Sequence, residues 1–297
     1  MALDESELKN YVEAARVASS VREIAADLVK PGAKLIDVAN AVEDEIRGDG
    51  AKPAFPVNIS VNDVAAHYTP KTNDAAVFGE KDVVKVDYGV HVRGFIIDAA
   101  FTVDLGSENG KLVEAAEAAL SNATSTMKAG VNVREVGAVI QKTIEEKGFK
   151  PIENLCGHSL GEFLLHSGRE IPNVARGDYV LREGDVFAVE PFATNGAGRV
   201  EDGAYCEIYS LINMRNVRLP QSRKVLEWLA EECETLPFAK RWVDEKFSEG
   251  TASLALADLR RQEIVRDYPI LKEINHGIVA QAECTVVVEK DACRILG

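Results

Sequence analysis

Between Asp4 and Val29 the apolar residues Leu8, Tyr11, Val12, Ala15, Ala18, Val21, Ile24, Ala25 and Leu28 recur at helical spacing. This predicts a helix that Pro31-Gly32 ends. A second helix is expected from near Ile36, with Val38, Val42 and Ile46 inward, stopping in the region of Gly48 and Gly50. Residues 51–78, containing FPVNISVNDVAAHYTP, hold no sustained period and read as irregular or weakly extended. VKVDYGVHVRGFIIDAA (84–100) reads instead as two apolar strands joined by a tight turn, the second continuing to Leu105.

After Asn109 the same order begins again: a helix from about Lys111 to Lys128, a break at Gly130, then a helix to about Lys147. The likeness is residue by residue. KPGAKLIDVANAVEDEI (30–46) lies over KAGVNVREVGAVIQKTI (128–144), with Lys30, Gly32, Val38 and Ile46 meeting identical residues 98 positions on. Further along, DVVKVDYG (82–89) lies over DVFAVEPF (185–192), which sets Asp87 against Glu190. Helix patterns match by chance often enough for the first alignment alone. Both alignments in the same order favour two related halves packed about one pseudo-twofold axis.

From about 210 to 270 the repeat is interrupted. SRKVLEWLAEE, PFAKRWVDEKF and SLALADLRRQEIV read as short amphipathic helices, Ser222 as an N-cap and Pro237 as lying near a helix start. They form a helical insertion in a single domain spanning 1–297. HGIVAQAECTVVVE then returns the chain to the sheet as its final strand. The fold class is α/β, more strictly α+β: a central antiparallel sheet flanked by helices, duplicated internally.

Composition narrows the function. With 34 basic and 48 acidic side chains the net charge is −14. That disfavours a phosphate-backbone binder, so no direct nucleic-acid partner is expected; NMRNVRLPQSRK is the one basic cluster. The N-terminal MALDESELKN has no signal-peptide character, and no apolar run reaches membrane-spanning length. Five scattered cysteines without a CxxC pair suit a reducing cytoplasm. Cys156, two residues from a histidine, reads as a small buried residue.

Each strand of the 84–100 hairpin carries one aspartate inside its apolar run, Asp87 and Asp98. Pairing His91 with Gly94 across a two-residue turn sets the two directly opposite; a three-residue turn leaves them adjacent. Facing like charges destabilise a sheet, and burying unpaired carboxylates costs far more. A divalent cation between them reverses the electrostatics. Two carboxylates are too few to hold a hydrolytic metal, but other acids and imidazoles stand in or beside apolar runs. NLCGHSLGEFLLHSG brings His158 and His166, VFAVEPF brings Glu190, and VAQAECTVVV brings Glu283. Oxygen-dominated ligation with one imidazole suits paired Mn, Fe, Co or Zn. Taken singly, each residue also reads as a capped strand aspartate or a satisfied structural histidine; the set carries the metal reading.

On these residues the chain resembles the dinuclear metallopeptidases of the pita-bread fold, and among them the methionine aminopeptidases. VDYGVHVRGFIIDAA matches the family's two-aspartate hairpin, GHSLGEFLLHSG its histidine segment, AVEPF its glutamate strand and AQAE its closing glutamate. The insertion resembles that of the type 2 subfamily, and the start at the first catalytic helix resembles the short archaeal form. The resemblance implies that Asp87 chelates one metal, His158 and Glu190 bind the other, and Asp98 and Glu283 bridge them. A hydroxide between the metals would attack the first peptide bond, Glu190 handling its proton. His67 and His166 would hydrogen-bond the scissile amide and the oxyanion. Phe55, Pro56, Phe192 and Ile208, with Leu165 as a further wall, would form the methionine pocket. His91 and His276 have no assigned role.

The implied partner is a peptide or nascent-protein N-terminus beginning with Met, the enzyme acting as a cytoplasmic monomer. An Xaa-Pro aminopeptidase or dipeptidase is the rival within the fold. Its relatives usually carry a large preceding domain, whereas only about 80 residues precede Asp87 here. A non-enzymatic binding homologue is the rival outside catalysis, but such relatives lose metal ligands and this chain has all five.

Overall fold

The computed structural model describes residues 3–297. In chain order the first half runs α1 (Glu5–Leu28), α2 (Leu35–Gly48), β1 (Lys52–Val61), β2 (Val64–Ala66), β3 (Val83–Val92) and β4 (Phe95–Asp104). The second runs α3 (Gly110–Thr126), α4 (Val133–Glu146), β5 (Lys150–Pro151), β6 (Cys156–Ser159), β7 (Glu170–Pro172), β8 (Val186–Val189), β9 (Phe192–Thr194), β10 (Val200–Asp202) and β11 (Ile208–Leu211). Then come α5 (Pro220–Glu232), β12 (Phe238–Ala239), α6 (Lys240–Phe247), α7 (Glu249–Arg261), β13 (Val265–Tyr268), β14 (Leu271–Glu273), β15 (Val279–Gln281), β16 (Cys284–Val288) and β17 (Cys293–Leu296).

The helices start where local chemistry allows. Asp4 caps α1 and Asn132 caps α4, each in a reciprocal box with a glutamate three residues on. The buried stripe of α1 is Tyr11, Ala14, Val17, Ala18, Val21 and Ala25. Val12, expected inward, is exposed because it lies off that i, i+3, i+4 stripe; Leu28 lies on the stripe but is the last residue of the helix and is also exposed. One core packs α1 and α2 on β1, β3 and β4; a second packs α3 and α4 on β8, β15 and β16.

The halves repeat at the level of single hydrogen bonds. Gly32, Phe78 and Leu35 bond through their amides to Phe78, Ala33 and Ala76; Gly130, Leu181 and Val133 bond in the same way to Leu181, Val131 and Tyr179. α2 and α4 stand 98 residues apart at both ends. The halves meet where β4 pairs with the last strand system: Ala100 and Glu283 exchange both backbone hydrogen bonds. The sheet therefore passes from β1 through β3 and β4 to β16, β8, β6 and β7.

Three local expectations change. Residues 52–61 form a full strand rather than irregular chain, its prolines tolerated because β1 is an edge strand bulged between Pro53 and Phe55 and between Phe55 and Asn58. The hairpin turn is Arg93-Gly94, with φ of 53° and 87°, the left-handed pair that suits strand twist. Asp87 accordingly faces Ala100 and Asp98 faces Gly89, two residues along the partner strand from the expected pairing, which leaves both acids on one face. Leu219 is the α5 N-cap with Pro220 at the first turn; Ser222 instead donates to Asp258 inside the insertion. The insertion has the three expected helices and its own core, but it also carries a three-stranded sheet, β12-β11-β13.

Candidate metal centre

The register of the joined sheet arranges the candidate ligands. Residues paired across antiparallel strands share a face. One row reads Asn58, Asp87, Ala100 and Glu283, and continuing the β16–β8 and β8–β6 registers extends it to Glu190 and Cys156. The adjacent row reads Phe55, Gly89, Asp98, Thr285, Ala188 and His158, with Thr285 bonded to the Asp98 backbone. Acids and the imidazole alternate with Ala, Gly and Thr. The small residues leave open space between the larger groups, above a single face.

That space is a cavity of about 320 Å³. Asp87, Asp98, His158, Glu190 and Glu283 all line it, as do His67, His166, Phe55, Phe192, Ile208 and Leu165. Pro56 is buried but outside the wall, because the bulges in β1 turn Phe55 and Asn58 inward instead. His91 packs beneath the hairpin turn, accepting from the Gly94 amide, and His276 pairs with Asp63 at the surface.

His158 Nε2 stands 3.5 Å from Asp98 Oδ2 and 3.5 Å from Glu190 Oε1. Ligand atoms of Asp98, His158 and Glu283 lie within 4.8 Å of one another. Oδ1 of Asp87 and Oδ1 of Asp98 are buried without a hydrogen-bond partner. Burial pushes the Asp87 carboxyl up to about 7. Burial, then repulsion from neighbouring carboxylates, holds Asp98, Glu190 and Glu283 well above the usual range. His158 is held well below the usual imidazole range by burial and by His166. Orphaned carboxylate oxygens, mutual repulsion and a deprotonated imidazole together fit a donor set for divalent cations.

The histidines of the wall are also neutral by environment. Burial, with His67 and Arg266 nearby, lowers His166 to about 4; burial lowers His67. His67 Nδ1 lies 3.1 Å from the Pro269 carbonyl, which can only accept, so Nδ1 carries the proton and Nε2 is free to accept. Its backbone sits at φ 67°, a conformation that non-glycine residues adopt at a cost.

Several lining residues escaped the sequence reading. Asn58 flanks Asp87 as Cys156 flanks Glu190, 98 residues apart, so the duplication itself was the available signal. Burial and the neighbouring carboxylates of Glu190 and Glu170 push the Cys156 thiol up to about 12. Tyr268 and Pro237 reach the cavity from the insertion, which local pattern could not reveal. Gln281, buried outside the wall, donates to Glu283 Oε2 at 2.9 Å.

The model for metallopeptidase family M24 matches residues 9–219, which contain four of the five candidate ligands; Glu283 lies beyond. Across 295 residues the chain is 47% identical to a protein named methionine aminopeptidase from Thermococcus kodakarensis, covering 99% of each. Among solved structures it is similar to a thermophilic Arx1 (TM-score 0.88, 18% identity, 100% of this chain and 91% of that one). It is also similar to the methionine aminopeptidase of Thermotoga maritima (TM-score 0.72, 24% identity, 100% and 98%). The two structures carry the fold alone, and it is the pita-bread architecture that the hairpin and glutamate motifs implied. Together with the family match and the full-length relative, the duplicated sheet and its acidic cavity make this chain a member of metallopeptidase family M24.

Proposed function

We propose that the protein is a methionine aminopeptidase that uses two divalent ions, of Co, Mn, Fe or Zn, to remove an N-terminal methionine from peptides and nascent chains. The observation that carries this reading is the pair of sheet rows on which four buried acids and one histidine alternate with small residues, in a chain so close to proteins of that name.

Asp87 would hold one ion, His158 and Glu190 the second, with Asp98 and Glu283 between them. When bound, such ions polarise the scissile carbonyl and make hydroxide available at neutral pH. The chain's own groups do the rest. Glu190 takes the proton of the attacking water and returns it to the leaving amine. His67 Nε2 accepts from the scissile N–H, because its Nδ1 is committed to Pro269. The neutral ring of His166, packed 4.2 Å from His158 between centroids, donates to the developing oxyanion. Phe55, Phe192 and Ile208, with Leu165 and Tyr268, enclose an unbranched thioether.

No described helix is long and apolar enough to cross a membrane. The five free cysteines fit a reducing cytoplasmic setting, and the chain is read as a monomer of one catalytic domain in which α5–α7 are an insertion.

The test is methionine release from Met-Ala-Ser by chelator-stripped protein given Mn, Fe, Co or Zn in turn. Metal-dependent release, absent in Asp98→Asn and Glu283→Gln, is expected. Cleavage of a matched Xaa-Pro peptide alone would move the specificity to the rival of the same fold. Folded protein inactive with every metal would overturn the enzyme reading.

A further inference from the structure

We propose that Gln281 is a positioning residue of the metal centre, its side-chain amide holding Glu283 and Asp87 in ligating orientation. Gln281 is 1% exposed, and its Nε2 lies 2.9 Å from Glu283 Oε2 and 3.5 Å from Asp87 Oδ2. In the ionised form that binds metal these carboxylates only accept, so there the amide must turn its NH2 toward the acids. Its Oε1 is left buried with no partner. An orphaned buried oxygen is costly, and its retention marks the donor side as the functional one.

The duplication explains how Gln281 comes to be there. Thr102 Oγ1 accepts from the Gln281 amide at 2.9 Å and donates to the Gln281 carbonyl at 2.7 Å. Thr285 Oγ1 accepts from the Asp98 amide at 2.7 Å and donates to the Asp98 carbonyl at 2.9 Å. The two threonine clamps are the same device seen from either side of the Ala100–Glu283 pair, and they make Gln281 the counterpart of Asp98. One half of the molecule presents a carboxylate at this position and the other an amide one methylene longer. A second carboxylate would set one more anion against Glu283, whereas an apolar side chain would leave Glu283 without its donor. The neutral amide avoids both. The backbone of Gln281 is further fixed by its pairing with Phe192, and its burial leaves the side chain little room to turn away.

This role rests on the metalloenzyme reading, and the experiment separates the two. Chelator-stripped parental protein, Gln281→Met and Gln281→Asn are titrated with Mn by calorimetry, alongside circular dichroism and thermal melts of the metal-free forms. Met keeps the shape without the donor. Asn keeps an amide one methylene too short, so it retains a polar group in the polar site and serves if the Met variant does not fold. Both variants are expected to melt near the parental protein and to bind Mn about 10- to 100-fold more weakly, as for lost partners of metal ligands generally. Parental affinity and stoichiometry in the folded variants, with or without a lowered melting temperature, would overturn the positioning role and leave the enzyme reading standing. If the parental protein itself binds no Mn, the metalloenzyme reading fails and this role with it.

Discussion

At the scale of single residues, the site is defined by groups held in the ionisation state that metal binding must change. Asp87 titrates at about 7 when no metal is present, against roughly 3.9 in an unfolded chain. A carboxyl raised in this way stabilises the metal-free fold fully below its unfolded value, and that contribution is lost as pH rises through about 7. Metal-free protein should therefore lose stability between pH 4 and pH 8, and bound Mn should offset the loss. The same ionisation predicts that Mn releases more protons at pH 6 than at pH 8, the Asp87 proton adding at the lower value to those from Asp98, Glu190 and Glu283. Calorimetry in buffers of different ionisation enthalpy reads this directly; equal proton release at both values would contradict it. The ligands themselves were legible in the sequence because an acid inside an apolar strand is conspicuous. Gln281 was not, because an amide in a strand carries no such signal and its role depends on contacts across the pseudo-axis.

At the scale of elements, small residues matter as much as ligands. A Cβ on Gly89 would lie 2.3 Å from the Phe55 ring and 2.9 Å from Ala54. Gly89→Ala is expected to displace Phe55 and raise KM for Met-Ala-Ser about tenfold, in line with ~1–3 kcal/mol for overpacking. Metal stoichiometry should be unchanged, since Gly89 holds no ion, and kinetics beside metal analysis would show whether the two separate. The insertion is tied to this strand by one buried ion pair. Glu43 of α2 pairs with Arg241 of α6, accepts from Trp242 Nε1 at 2.6 Å and accepts from the Val57 amide at 3.1 Å. Arg241→Met strips the partner charge from a buried acid, and a loss of about 3–5 kcal/mol in urea unfolding is expected. A change below about 1 kcal/mol would mean that the pair is dispensable. Helix positions were readable from periodicity and caps. β1 was not, because two prolines and two bulges mask its alternation, and the Arg93-Gly94 turn is less diagnostic than Asn-Gly, so the expected hairpin register lies two residues from the observed one.

At the scale of the molecule, duplication builds a symmetric sheet and then breaks its chemistry. Asp87 answers to Glu190, but His158 answers to Ser60 and Ala188 to Lys85, the latter pairs standing opposite each other in β6–β8 and β1–β3. One half thus holds the imidazole, while the other buries the Lys85 amine, lowered to about 7 by burial, which donates to the Asn62 carbonyl. The repeat was visible as aligned residues; the exchange of roles between halves needed the register. Loops are locked to this frame by Glu273, which accepts from the amides of Ala197, Gly198, Asn275 and Gly277. Those bonds hold its carboxyl below the usual range. A depressed carboxyl stabilises the fold above its unfolded value, about 4.3, and the contribution disappears as pH falls through the folded one. Glu273→Gln should melt several degrees below the parental protein at pH 7, the gap closing below about pH 4. A gap independent of pH would deny the charge its role.

Two adjacent rows of one sheet face would hold a pair of divalent ions. Anomalous diffraction from a crystal equilibrated with Mn, with data at the metal edge, tests it most directly. Two peaks are predicted, both among Asp87, Asp98, His158, Glu190 and Glu283, with Gln281 Nε2 still against Glu283. Crystals that bind Mn elsewhere, or leave these five residues without a peak, would contradict the account.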